Sequence, residues 1–405
     1  MGKRVAVLLA FAATSLLCHR AFAADQTDST PSSSPDGPAA GPQMAAFTGP
    51  LAPGSTPLSF DLGLFGHQVY VGGVASGLIL AQQEPDPDGR DHAFDISNAQ
   101  AYVDKNQGLI QYYVQVGLYS IPELGTPYVK STTATSSLFD PVPEAFVKLA
   151  PSDVWSIEVG KLPSLVGDEQ TFTFENMNIE RGILWRQGPT ISRGVQINYD
   201  NGPFAASVSW NDGFYTDRYG WISGSVAWML DPADTLKVTA ADNLKKSEFT
   251  STTAPLFQNN EQIYDLVYTH SQDQWIIQPY AQYTSIPALG GSAGTRPGST
   301  WGAAILASYK FSHTTWLYGF SLPVRVEFIR SSGIQAPETP NLLGYGPGAK
   351  VLTATITPTY QHGIYFVRAE FSGITIFGIN EFFALGPGGH DHDQIRGLLE
   401  AGVRF

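Results

Sequence analysis

Charged side chains recur at alternate positions within stretches that are otherwise greasy on one face and hydroxyl-bearing on the other. By parity they form one inward set: Lys148, Glu158, Lys237, Arg325, Glu327, Arg368, Glu370, Glu400 and Arg404. Opposed acids and bases facing a water-filled space orient water and sort solutes by charge, although the same positions would serve equally as solvated charges or mutual ion pairs of a polar interior. A second group lies between Leu162 and Pro189, where Asp168, Glu169, Glu175, Glu180, Arg181 and Arg186 alternate with Phe172, Phe174 and Trp185. Connections this long in a compact protein are functional or disordered, and mixed charge with aromatics argues against disorder. The expectation is a loop that enters or caps a lumen and narrows it; the alternative is an external loop resting on a rim.

His390 and His392 alternate with Asp391 and Asp393 in GPGGHDHDQ, and imidazole with carboxylate suits a divalent transition metal. Adjacent residues on a glycine-rich loop rarely converge on one ion, so they are weak candidates and no metal or cofactor is expected. Hydrolytic chemistry needs a serine activated by a histidine and oriented by a third polar group. No outward Ser/His pair near a bilayer rim stands out, and His270, His313 and His362 fall in or beside tight turns. No catalytic residue is assigned.

The elements that must hold these residues have a period of two. In VLTATITPTY, Leu352, Ala354, Ile356, Pro358 and Tyr360 oppose Val351 and four threonines; in QWIIQPYAQY, Trp275, Ile277, Pro279, Ala281 and Tyr283 oppose Gln274, Ile276, Gln278, Tyr280 and Gln282. Alternation weakens in the first two segments, 66–81 and 94–104. Tight turns at 105–108, 151–153, 200–202, 231–234, 271–273, 312–315 and 362–363 are each separated from the next by one long polar connection. Short turns alternating with long loops describe an outer-membrane barrel, with the turns periplasmic and the loops extracellular. The expected fold is therefore all-β: a transmembrane antiparallel β-barrel of about 16 strands over residues 58–405. Aromatics beside the turns, such as Trp155, Tyr199, Trp228, Trp275 and Tyr360, suit the headgroup level.

Residues 1–23 run from Lys3 and Arg4 through an apolar stretch to Ala21-Phe22-Ala23, the form of a cleaved signal peptide. They contain Lys3, Arg4 and Arg20 and no acid, so their removal would take the formal charge from −13 to −16. That balance argues against nucleic acid as a partner. Cys18 is the single cysteine and lies within this segment. Residues 24–57, rich in Ser, Pro, Gly and Ala, read as a flexible periplasmic linker. Charged residues are 15% of the chain and aromatics 12%; no later segment has the run of 18 apolar residues that a spanning helix requires, which leaves a closed barrel as the form that can face lipid.

The stretch from Val154 to Gly202 resembles the putative β-barrel porin-2 family. The resemblance rests on Val159-Gly160-Lys161-Leu162, the acidic Gly167-Asp168-Glu169, a polar aromatic stretch, and Gly188-Pro189 leading to Arg193-Gly194-Val195. Val403-Arg404-Phe405 looks like the C-terminal signal that outer-membrane proteins present to the barrel-assembly machinery. The resemblance implies an outer-membrane porin of unassigned solute and supplies no catalytic residues. The expected function is passive diffusion of small hydrophilic solutes or ions through a water-filled barrel. A filled barrel with a structural or adhesive role, and an outer-membrane lipid hydrolase, are the alternatives. Expected partners are outer-membrane lipid and lipopolysaccharide, the assembly machinery and the solutes; association as a homotrimer is left open.

Overall fold

The computed structural model describes residues 51–54, 58–61, 68–87, 89–246, 258–289, 295–334, 336–378 and 383–405; the expected signal peptide and most of the stretch 24–57 lie outside them. A short strand β1 (Leu58–Asp61) is followed by β2 (Gln68–Gln83), β3 (His92–Lys105), β4 (Ile110–Tyr119), β5 (Ala145–Leu149) and β6 (Trp155–Pro163). Next come β7 (Ile191–Asn201), β8 (Phe204–Asn211), β9 (Trp221–Met229), β10 (Asp234–Asn243), β11 (Gln262–Gln272) and β12 (Trp275–Ile286). The chain finishes with β13 (Gly298–Lys310), β14 (Phe320–Ser331), β15 (Lys350–Ile356), β16 (Thr359–His362), β17 (Tyr365–Phe377) and β18 (Asp393–Arg404).

From β2 onward each strand but β15 pairs antiparallel with the next, and β18 closes on β2 through Ile395↔Gln83 to Arg404↔Val74. β15 and β16 are two parts of one barrel strand, because both pair with β14 and with β17. The break falls at Thr357-Pro358, where proline has no N–H to give the ladder. Counted this way, the barrel has sixteen strands. Closure is what lipid demands, since an open edge would leave unpaired backbone groups in hydrocarbon.

Parity sorts the side chains as the sequence pattern requires. In β12, Gln278, Tyr280, Gln282 and Thr284 are buried toward the lumen, whereas Ile277, Pro279, Ala281 and Tyr283 are exposed on the outer face. At the turn end, outer aromatics pair across strands: Trp155 with Tyr199 (ring centroids 4.8 Å), Phe204 with Trp228 (5.7 Å), Trp275 with Tyr309 (4.7 Å) and Phe320 with Tyr360 (4.7 Å). They form the girdle at the membrane–water boundary. Most turns are as tight as expected, with Gly202 and Gly363 supplying positive φ of 61° and 56°. The turn expected at 312–315 instead spans 311–319 and leaves Trp316 exposed.

Val326 lies mid-strand on the outer face of β14, between Ile305 and Ala354. Val326→Lys should lower stability by about 2–4 kcal/mol, the cost of a lipid-facing charge at the bilayer midplane. Urea titration of the folded band in liposomes measures this, with Gln196→Lys on the lumen face, beside a cavity, as the comparison.

β1 is not a barrel-crossing strand. It pairs with Gln68–Val71, the part of β2 that projects beyond the end of β18, and so extends the wall at the turn end.

Candidate functional site

The connection 164–190 leaves β6 and returns to β7, yet it is bonded far around the ring: through charged groups to β14, β17 and β18, and through Lys237, Asp265 and Gln278 to β10, β11 and β12. In a ring of sixteen strands, β14 stands eight strands away from β6. The connection therefore crosses the lumen. Glu327 on β14 accepts the N–H groups of Ile183 and Leu184, both at 3.2 Å, and the Thr353 hydroxyl at 3.0 Å. Arg325 pairs with Glu169 and Glu327 and donates to the Glu180 carbonyl at 2.7 Å. On β17, Arg368 donates to the carbonyls of Thr173 (2.8 Å), Asn176 (3.0 Å) and Met177 (2.9 Å). Glu370 accepts the N–H groups of Ile179 (2.5 Å) and Glu180 (3.0 Å). On β18, Glu400 accepts the Thr173 hydroxyl at 2.7 Å and pairs with Arg368, and Arg396 pairs with Glu180 at 2.7 Å.

These six wall charges are at most 1% exposed. Buried charges need partners, because the desolvation of an unpaired one is not recovered. Each basic group has carboxylates or backbone carbonyls around it, and each acid has N–H or hydroxyl donors. The wall thus fits one backbone path of the connection, and displacement would strand several charges at once. Gly182 shows how close the approach is: a Cβ there would stand 2.2 Å from a carboxylate oxygen of Glu327.

The other candidates fall elsewhere. Lys148 and Glu158 face each other at 3.5 Å on β5 and β6, and Lys237 on β10 donates to the Gly167 carbonyl at 3.0 Å. Asp168 accepts from the Gln278 amide at 2.8 Å, Glu175 from the Phe172 N–H at 3.0 Å. Arg181 is tied to the preceding connection through backbone bonds with Pro122 and Leu124, and Arg186 faces Glu123 at 3.4 Å. Arg404 points inward, as its parity requires, and donates to the Leu51 carbonyl. Phe405 lies on the outer face and exchanges both backbone hydrogen bonds with Gly73, closing the seam at the turn end.

His390 is exposed, and His392 donates through Nδ1 to the Ile376 carbonyl at 3.0 Å, so the two imidazoles do not converge. Among the described residues, no group of three or more His, Cys, Asp or Glu is placed to hold a metal. Sequence reasoning missed Arg396, although its parity with Glu400 would have found it. It also did not single out the inward amides Gln100, Gln115 and Gln196; Gln278 and Gln282 fall on the polar face of their strand but receive no role.

Among the described residues, two cavities border the connection. The larger, about 360 Å³, lies toward the long loops and is bordered by Ile121, Leu138, Phe139, Phe214, Gln258 and the Glu123–Arg186 pair. The smaller, about 70 Å³, lies against β6, β7 and β10 at Glu158, Gln196 and Lys237. Trp185 and Thr190 border both.

Burial pushes the Asp168 carboxyl up to about 7; Lys237 opposes the shift, and Glu169 and Asp265 add to it. Asp168 is therefore protonated below that pH and charged above it. With Gly167 and Glu169 on the smaller cavity, raising the pH from 6 to 8 should add one negative charge beside the gap and increase the cation-to-anion permeability ratio. Asp168→Asn should flatten the change; reversal potentials across a salt gradient at each pH measure it.

A family model described as putative beta-barrel porin-2, OmpL-like, matches residues 68–405. No curated protein matches the chain. Among solved structures, the outer-membrane channel DcaP of Acinetobacter baumannii superposes with a TM-score of 0.57 at 12% identity, covering 85% of this chain and 99% of that one. The anion-selective porin from Comamonas acidovorans gives 0.55 at 10% identity, covering 83% and 99%. A trimer form of OmpT from Vibrio cholerae gives 0.52 at 10% identity, covering 83% and 99%. At these identities the likeness establishes the fold.

Proposed function

The chain belongs to the putative beta-barrel porin-2, OmpL-like family and is a porin of the bacterial outer membrane, and we propose that its solutes pass between the connection 164–190 and the wall of β5 to β10. The observation that carries this route is the pair of cavities beside the connection: the 360 Å³ vestibule and the 70 Å³ gap share Trp185 and Thr190 as lining. A constriction of this kind favours small hydrophilic solutes. Lys148, Glu158 and Lys237 line the gap side, and Asp168, Glu169, Glu175, Glu180, Arg181 and Arg186 belong to the constricting loop. Arg325, Glu327, Arg368, Glu370 and Glu400 anchor it rather than meet solute.

The net acidity of the chain favours cations modestly. Reconstitution into planar bilayers tests the proposal: small stepwise conductances are expected, and Trp185→Ala should enlarge them. A folded, heat-modifiable protein that conducts nothing would instead support the filled barrel with a structural or adhesive role. Lipid hydrolysis is the third reading; lipid cleavage by the pure protein, lost on mutating a single histidine such as His270, which pairs with Asp234 at 2.7 Å, would favour it.

A signal peptide over 1–23, Phe405 as a mark for the assembly machinery, and contacts with lipid and lipopolysaccharide complete the proposal. So does a homotrimer, the form described for one matched porin; the mass of the detergent-solubilised complex tests that part.

A further inference from the structure

Ahead of the barrel, residues 51–54 run along its turn end, with Leu51 buried and Ala52 and Pro53 exposed. Leu51 is 3% exposed and belongs to the same apolar cluster as Val74 of β2, Phe366 of β17, and Phe172 and Phe174 of the constricting loop. Val74 and Phe366 lie on the lumen face of their strands, so Leu51 occupies the turn end of the lumen and not the outside of the wall. Two polar clasps fix the backbone beside it. Gln361 at the end of β16 makes a two-point bond with Ala52: its amide accepts the Ala52 N–H at 2.9 Å and donates to the Ala52 carbonyl at 2.7 Å. Arg404 donates from one guanidinium nitrogen to the Leu51 carbonyl at 2.5 Å and to the Phe174 carbonyl at 3.5 Å, with its carbon 5.2 Å from the centre of the Phe174 ring. Gly54 passes close to the β16–β17 turn, where a Cβ would meet Ile364 at 3.0 Å. The chain then joins the wall as β1, at the place where β18 has ended.

One guanidinium therefore links the segment before the first barrel strand to the deepest part of the constricting loop, the turn Thr173–Glu175. The buried anchors hold that loop sideways against β14, β17 and β18, but the contact with Leu51 and Arg404 closes it from below. We propose that Leu51–Gly54 is a strap that supports the tip of the constricting loop from the periplasmic side, with Arg404 and Gln361 as its positioning residues, so that the pre-barrel chain helps to set the aperture. This rests on the conduction route proposed above.

The physical requirement is an apolar side chain wedged beneath Phe174 together with a donor that satisfies both carbonyls. Removing either leaves the tip held by Arg368, Glu400 and the Asn98 amide, which donates to the Thr173 hydroxyl at 2.6 Å. The test replaces residues 51–54 of the full-length chain with an equal length of Gly and Ser, which keeps β1 in place. Single-channel recordings in planar bilayers are expected to show a conductance raised by half or more, greater open-channel noise and closure at lower voltage. Gln361→Ala, which releases Ala52 without touching the loop or the terminal residues, should shift noise and closure the same way by less. Heat-modifiable migration confirms that each barrel has folded. A segment that only braced the wall would lower the unfolding temperature and leave conductance and noise unchanged. That result, in either folded variant, overturns the strap. If the wild-type protein conducts nothing, the conduction reading itself fails.

Discussion

Arg325→Met should destabilise the barrel by about 3–5 kcal/mol and release the constricting loop, because removing one partner of a buried ion pair leaves the other charge without compensation. Here two carboxylates are stranded together: Glu169 on the loop and Glu327 on β14, both tied to Arg325. They would repel each other in a site from which water is excluded. The relief available to them is movement of the loop away from the wall, admitting water. Urea unfolding of the reconstituted protein should therefore show the loss in stability, and bilayer recordings should show larger, noisier openings. A triple variant combining Arg325→Met with Glu169→Gln and Glu327→Gln removes the stranded charges. It should recover much of the stability, since a buried ion pair contributes little over a neutral replacement of similar shape. If the single variant is as stable as wild type, the loop is not held by this network.

Gly182→Val should have the second largest effect. Its Cβ would overlap the Glu327 carboxylate, with 2.2 Å to the nearer oxygen and 2.5 Å to the other. That carboxylate cannot swing aside freely, being held by the N–H groups of Ile183 and Leu184, the Thr353 hydroxyl and Arg325. Either the loop lifts and loses two hydrogen bonds to a charged acceptor, at about 1.5–3 kcal/mol each, or Glu327 is expelled from its pairing. Both routes widen the gap beside Trp185. A raised conductance with a stability loss of about 3 kcal/mol or more is expected, and Gly397→Val, on β18 with nothing within 4 Å, serves to show what a β-branched residue costs away from the loop. Unchanged conductance in folded Gly182→Val would mean that the close approach does not set the aperture.

Most of the wall was legible in the sequence because lipid makes parity strict. A strand between hydrocarbon and lumen has no freedom to bury a charge outward, so Lys237, Arg325, Glu370 and Glu400 reveal their faces by counting alone. The same counting should have included Arg396. The loop 162–189 announced itself by length and mixed charge, but its destination did not. Nothing local to Gly182 or Ile183 tells of Glu327, which is about 145 residues away in the chain and eight strands around the ring. Leu51 was less legible still, lying at the end of a Ser/Pro/Gly-rich stretch that reads as linker until Gln361 and Arg404 are found around it.

What the sequence determined by itself is the two-residue period, the alternation of short turns with long loops, the even strand number and the inward parity of the charges. Each follows from neighbours along one strand, and the bilayer enforces it on every strand alike. The tertiary structure alone decided which inward charges are engaged by the connection. Pairing across a lumen depends on where closure of the ring brings distant strands and loop backbone together. That closure set Arg325, Glu327, Arg368, Glu370 and Glu400 against the backbone of a loop, and left Glu158 and Lys237 beside the smaller cavity.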